Sequence, residues 1–155
     1  MDTHVDIENE TDISLTLTRE FDAPRERVFE AWTDPAQLMH WMGPEGIHVP
    51  DITADVKVGG EYIFPMVSKD TGGVHTVKGN YTTIDRPSAL SFTWSWVQED
   101  GSPGQLMTVA LEFAEINGKT KMTMVHKNFI DEDAKAHHKS GWDSTFDCLE
   151  ASLSH

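Results

Sequence analysis

Apolar and polar residues alternate with a period of two over residues 13–21 and 47–129, which is the pattern of half-buried β-strands. In the first segment, Leu15 and Leu17 alternate with threonines, although Arg19 interrupts the apolar face. The second segment is divided by turns rich in glycine, proline, asparagine and aspartate, and about six strands fit between these turns. The chain is therefore predicted to form a sheet of about seven strands.

The pair Asn117-Gly118 is the strongest turn signal, because both residue types adopt the positive φ angles of a two-residue type I′ turn. The strands on either side of it should pair as an antiparallel hairpin. In the second of these strands the lysines share one face, and Met124 and His126 share the other. Residues 90–96 likewise separate aromatic residues from serine and threonine, which predicts a sheet with one wet face and one strongly aromatic face.

Two short helices are predicted between the first strand and the rest of the sheet. Proline follows Ala23 and Asp34, and proline is favoured at the first turn of a helix, where its missing N–H costs nothing. The side chain of Asp34 can also cap the second helix. We expect helices over residues 24–32 and 35–42.

A long helix is predicted at the C-terminus, beginning after the acidic segment that opens at Asp131. Apolar residues recur there at helical spacing over about 22 residues, or ~33 Å, which is long enough to cross a sheet. Gly141 lies in the middle and costs ~1 kcal/mol relative to alanine. We interpret it as a point where the helix approaches the sheet or a ligand closely. The pattern as a whole predicts an α+β fold, in which a curved antiparallel sheet wraps around this helix.

The length of 155 residues and a hydrophobic content of 38% suit one domain with a sizeable core. Residues 1–12 are polar and acidic without a period, so we predict a flexible tail there and a single domain over 13–155. The sequence has no apolar run of membrane-spanning length and no signal-peptide pattern at its start, so a cytoplasmic location is expected. The lone cysteine, Cys148, excludes an internal disulfide.

The charge balance narrows the classes of partner. Asp and Glu number 26 against 12 Lys and Arg, which leaves a formal net charge of −14. Nucleic-acid phosphates and anionic membrane surfaces would be repelled, so neither is expected as a partner. The acidity is interpreted as a solubility feature, or as the adaptation of a host with high internal salt, in preference to a dedicated acidic docking face.

Four segments in fixed order then carry a resemblance to a known family. They are FDAPRERVFEAWTDP at 21–35, WMGP at 41–44, DVKVGG at 55–60 and the pair Gly141-Trp142. Together they resemble the Hsp90 ATPase activator homologue (AHSA1-like) family of the START-like, Bet v 1-like (SRPBCC) helix-grip superfamily, over residues 13–153. The resemblance implies a helix-grip fold with a cavity between the sheet and the C-terminal helix, as in relatives that hold sterols, lipids, aromatic polyketides or plant hormones.

The inward positions expected to line this cavity form a wall rich in aromatic residues and methionine, with a few polar groups. Such a wall suits an apolar ligand oriented by one or two hydrogen bonds. Core packing is the more common role for three of the residues, Phe64, Met107 and Phe146. The predicted ligand-binding residues are Phe64, Met66, His75, Tyr81, Trp94, Trp96, Met107, Met124, His126, His138, Trp142 and Phe146.

Sequence motifs for catalysis or metal binding are not found. The chain has no nucleophile elbow, no phosphate-binding glycine loop and no zinc-protease motif. Its eight histidines are scattered, and the neighbours His137 and His138 are ~100° apart on a helix, which prevents joint chelation. No catalytic residue, metal or cofactor is predicted.

Three functions remain open. The first is a small-molecule binding protein that holds an apolar or aromatic ligand without transforming it. The second is an enzyme similar to polyketide cyclases and dehydratases, for which His75, Tyr81 or His126 would move a proton and at least two of them would have to meet in one open cavity. The third, suggested by the family, is a partner of an Hsp90-type chaperone.

Overall fold

The computed structural model describes residues 11–153. Residues 1–10 of the predicted tail therefore lie outside the described residues, while the hydroxyl of Thr11 donates a hydrogen bond to the carbonyl of Phe129 at 2.7 Å. The elements in chain order are β1 (Ser14–Phe21), α1 (Arg25–Thr33), α2 (Pro35–Trp41), β2 (Ile47–His48), β3 (Thr53–Ala54), β4 (Glu61–Ser68), β5 (Val74–Asp85), β6 (Ala89–Trp96), β7 (Met107–Ile116), β8 (Lys119–Lys127) and α3 (Glu132–Leu153).

The strands form one antiparallel sheet in the order β1-β8-β7-β6-β5-β4-β2, with β3 also paired to β4. Eight strands are present instead of about seven, because residues 47–54 contribute two strands of two residues each. The predicted α+β helix-grip fold is confirmed.

The local signals read from the sequence operate as expected. Asn117 and Gly118 have φ angles of 51° and 81°, and they join β7 to β8. The side chains of Asp34 and Asp131 accept hydrogen bonds from the first turns of α2 and α3. Gly60 is needed because a Cβ there would lie 1.9 Å from the carbonyl oxygen of Asp55.

The core lies between the concave face of the sheet and the three helices. Its largest side chains that are less than 2% exposed are Trp32, Trp41, Tyr62, Phe21, Phe29, Phe113, Phe129, Phe146, Leu38, Leu90, Leu111 and Met122. No helix in residues 11–153 is both long enough and apolar enough to cross a membrane.

The convex face of the sheet differs from the prediction at one place. Thr93 and Ser95 on β6 were expected to face water, yet they are only 9% and 5% exposed. The loop after β6 folds back over Ser95, whose hydroxyl donates a hydrogen bond to the carbonyl of Gly104 at 3.2 Å, while the hydroxyl of Thr93 accepts a hydrogen bond from the backbone N–H of Asn80 on β5 at 2.8 Å. A strand's alternation shows which face a residue occupies, but it does not show whether a distant loop covers that face.

Candidate functional site

A cavity of about 720 Å³ lies between the sheet and α3. Six of the predicted residues line it: Met66 on β4, His75 on β5, Trp94 and Trp96 on β6, and His138 and Trp142 on α3. The wall opposite the sheet is therefore built from one face of the long helix, as the resemblance implied.

Two of the other predicted residues, Phe64 and Tyr81, do not line this cavity. Both pack against Tyr62, with ring centroids 4.6 Å and 5.6 Å away respectively, in a cluster that leaves only about 10 Å³ of space. Their expected place in the lining is corrected, because rings from neighbouring strands fill this part of the sheet's concave face.

Met107, Met124 and Phe146 are also packed rather than lining. They are 4%, 0% and 1% exposed respectively, and the ring of Phe146 stacks on Trp142 at 5.5 Å. All three belong to the buried hydrophobic core. The sequence already favoured core packing for Met107 and Phe146, whereas Met124 was expected to touch a ligand.

His126 lies directly behind the cavity wall and is fully buried. The indole N–H of Trp142 donates to its Nδ1 at 3.1 Å, so the neutral ring carries its proton on Nε2. That Nε2 has no hydrogen-bond partner among residues 11–153. Its ring stacks on Phe129 at 4.4 Å and meets the edge of His138 at 5.0 Å. Burial first, and then the nearby His138, hold the pKa of His126 well below its usual value of 6.5.

His138 joins the helix to the sheet at the cavity. The indole N–H of Trp96 donates to its Nε2 at 2.9 Å, and its Nδ1 donates to the carbonyl of Ala134 at 2.8 Å. Both ring nitrogens are thus occupied when the ring is neutral. Burial lowers the pKa of His138, the bond to Ala134 opposes this, and the neighbouring His137 lowers it further.

The geometry does not bring together the three acid-base residues that the cyclase/dehydratase-like hypothesis named. His75 borders the cavity, His126 lies behind Trp142, and Tyr81 lies in the separate aromatic cluster, where burial raises its pKa to about 12. These three side chains do not meet in one open space. The requirement set for the enzyme hypothesis is therefore not met.

Within residues 11–153, no aspartate, glutamate, lysine or arginine lines the cavity, although the chain as a whole is strongly acidic. The polar groups of the cavity wall are histidines and the hydroxyl of Thr145, which donates to the carbonyl of Gly141 at 2.7 Å. No group of three or more metal-ligating side chains occurs within residues 11–153. The site is thus suited to an uncharged, largely apolar molecule.

Sequence reasoning missed lining residues in the segment after α2, directly after β6 and on α3, where His138 and Trp142 are the only lining residues among the predicted ligand-binding residues. The interpretation of Gly141 is corrected in one respect, because a Cβ there would meet no atom within 4 Å and the sheet does not approach closely. Of the two alternatives given for Gly141, only a close approach of a ligand remains. Besides Gly141, whose approach to a ligand was one of the two expected possibilities, the residues missed from the lining are Met42, Pro44, Ile47, Val97, His137 and Thr145.

A curved antiparallel sheet closed over one long helix, with a largely apolar cavity between them, defines a helix-grip protein. The family model described as "Activator of Hsp90 ATPase homolog 1-like protein" matches residues 22–154. The chain belongs to this family, which confirms the resemblance seen in its motifs.

Solved structures agree with this assignment. The AHSA1 protein of Silicibacter pomeroyi is 31% identical with a TM-score of 0.83, and the match covers 92% of this chain and 98% of that one. A protein from Chromobacterium violaceum is 25% identical with a TM-score of 0.81, covering 92% and 97%. A protein from Arthrobacter aurescens is 26% identical with a TM-score of 0.80, covering 97% and 90%. No curated protein matches this sequence.

Proposed function

We propose that the protein is a small-molecule binding protein, which holds an apolar or aromatic ligand in the cavity between the sheet and α3 without transforming it. The observation that carries the proposal is the cavity itself. Its volume of about 720 Å³ lies within the range of ~300–1,000 Å³ that is usual for ligand sites. Its wall combines tryptophan and methionine side chains with a few polar groups.

The cavity wall is held in place by contacts from the protein itself. Trp94 and Trp142 approach each other to 5.0 Å between ring centroids, and Trp142 is fixed by its hydrogen bond to His126. The bond between Trp96 and His138 joins β6 to α3 beside them. A preformed apolar wall lowers the entropic cost of ordering the site on binding.

Titration with Nile red, an uncharged dye whose emission depends on polarity, tests the proposal. Met66→Trp replaces the flexible thioether with a bulky indole ring that fills part of the cavity. This change should weaken dye binding by about tenfold or more. The matched control is Val67→Trp, because the next residue on a strand points to the opposite face of the sheet. The control should bind the dye as the natural protein does.

Native mass spectrometry of protein purified from its own host supplies an independent readout. A mass excess that disappears on denaturation would identify a bound ligand and its chemical class. Absence of saturable dye binding, together with absence of any mass excess, would show that the proposal is wrong.

A second candidate rests on the family assignment, whose description names an activator of the Hsp90 ATPase. In this proposal the protein docks on the Hsp90-type chaperone of its host and raises the rate of ATP hydrolysis. The test is the ATPase rate of that chaperone with and without the protein, and an unchanged rate would reject it. Either role is proposed to take place in the cytoplasm, as expected from the sequence.

A further inference from the structure

Gly141 occupies a position that the fold alone does not explain. It lies within the 22-residue helix α3, where glycine costs ~1 kcal/mol relative to alanine, and its backbone is ordinary helix. A Cβ at Gly141 would meet no atom within 4 Å. Gly60 and Gly79 differ, because a Cβ at either would lie within 2.1 Å of a backbone oxygen. The protein's own packing therefore requires Gly60 and Gly79 but not Gly141.

The space beside Gly141 belongs to the cavity. Gly141 lines it together with Trp142 and Thr145 of the same helix. Thr145 donates its hydroxyl proton to the carbonyl of Gly141, so the helix presents bare and internally satisfied backbone at this point. Trp94 lines the cavity from the sheet, with its ring 5.0 Å from that of Trp142. The missing side chain thus widens the cavity beside two indole rings.

We propose that the ligand is an uncharged, fused-ring aromatic compound, one part of which lies flat against α3 at Gly141. This inference rests on the proposed binding function and deepens it by naming the ligand class. A flat ring system uses the space of one missing side chain, and it can make offset or edge contacts with the indole rings that line the cavity, above all with the partly exposed Trp96. A net charge on the ligand is disfavoured, because no aspartate, glutamate, lysine or arginine within residues 11–153 lines the wall, and the largely apolar wall would strip the ligand of water.

Gly141 is thereby assigned as a position that determines ligand specificity. The polar substituent of the ligand would face His75 or His137, since both nitrogens of His138 already have partners. A side chain at position 141 would exclude the ring without disturbing the sheet.

The experiment compares two alcohols that share one carbon skeleton. These are 2-naphthol, whose fused rings are planar, and decahydro-2-naphthol, whose saturated rings are not. Isothermal titration calorimetry measures both with the full chain and with two variants. Gly141→Leu fills the space beside the helix, and Ser140→Leu adds the same side chain at the exposed neighbouring position as a control.

We expect 2-naphthol to bind about tenfold or more tightly than its saturated analogue. Gly141→Leu should weaken 2-naphthol binding by about tenfold, and Ser140→Leu should leave it unchanged. If Gly141→Leu does not fold, Gly141→Ala supplies the test with an expected weakening of about threefold. Circular dichroism of each variant establishes that it is folded.

Equal or tighter binding of the saturated alcohol would overturn the inference while leaving the proposed binding function intact. Unchanged 2-naphthol binding in a folded Gly141 variant would overturn the role of this position. Failure of both alcohols and of Nile red to bind the natural protein would overturn the inference and the proposed function together.

Discussion

Acidification should destabilise this protein through His126, which is buried without any negatively charged neighbour. The aromatic rings beside it belong to Trp94, Phe129, His138 and Trp142, and among residues 11–153 no carboxylate contributes to the shift of its pKa. A proton added to His126 would therefore create a buried cation with no opposite charge. Its pKa is lowered in the folded state, chiefly by burial and then by His138.

The sign of the effect follows from comparing the folded and unfolded states. In the unfolded chain His126 takes up a proton as the pH falls below its usual pKa of 6.5, whereas the folded protein keeps it neutral. The contribution of neutral His126 to the free energy of unfolding is therefore fully present above pH 6.5. It is lost as the pH falls toward the lowered pKa of the folded state. Each such proton contributes a slope of up to about 1.4 kcal/mol per pH unit.

His138 adds to the same trend, since its pKa is also lowered by burial. Protonation of His138 would in addition remove the acceptor for the indole N–H of Trp96, because an imidazolium has no free lone pair. The two histidines together set an upper limit of about 2.7 kcal/mol per pH unit on this part of the slope.

Urea unfolding followed by tryptophan fluorescence, repeated between about pH 8 and pH 5, measures the slope. His126→Leu removes one titrating group and should reduce the slope by up to about 1.4 kcal/mol per pH unit. The variant should also be less stable at high pH by about 1–3 kcal/mol, because the N–H of Trp142 loses its acceptor. A variant with the same slope as the natural protein would refute the claim that folding holds His126 neutral.

Three further predictions concern stability alone and can be checked by thermal and urea unfolding. Gly141→Ala should raise the free energy of unfolding by about 1 kcal/mol, since the added Cβ meets no atom; a decrease would mean that the space is not open. Phe146→Ala should cost about 3–5 kcal/mol because its ring is fully packed, whereas Met66→Ala should cost less than about 2 kcal/mol because its side chain borders the cavity; equal losses would contradict this distinction. Gly60→Ala should lower the free energy of unfolding by more than about 2 kcal/mol, because its Cβ would collide with the carbonyl oxygen of Asp55; a neutral result would contradict the turn geometry.

The elements of the fold were predictable because their signals are local. A helix end depends on a capping side chain such as Asp34 or Asp131, and a hairpin depends on two residues such as Asn117 and Gly118. The alternation along β7 and β8 also identified which side chains face inward. The family motifs then indicated how these elements are arranged.

The candidate site was predictable only in part, because an inward direction does not distinguish a core residue from a cavity residue. Phe64 and Met66 point to the same face of β4, yet the first packs against Tyr62 and the second borders the cavity. The difference depends on what lies above each one. That is determined by elements far away in the sequence.

The sequence by itself determined the strands, the helix ends, the family and the acidic, cysteine-poor character of the chain, because each depends on neighbouring residues or on composition. Only the tertiary structure decided which residues surround the cavity. It also decided that Trp142 and Trp96 donate to His126 and His138, since these contacts join α3 to strands that are 16 and 42 residues distant in the chain. Such contacts depend on the packing of the whole domain, which no local pattern encodes.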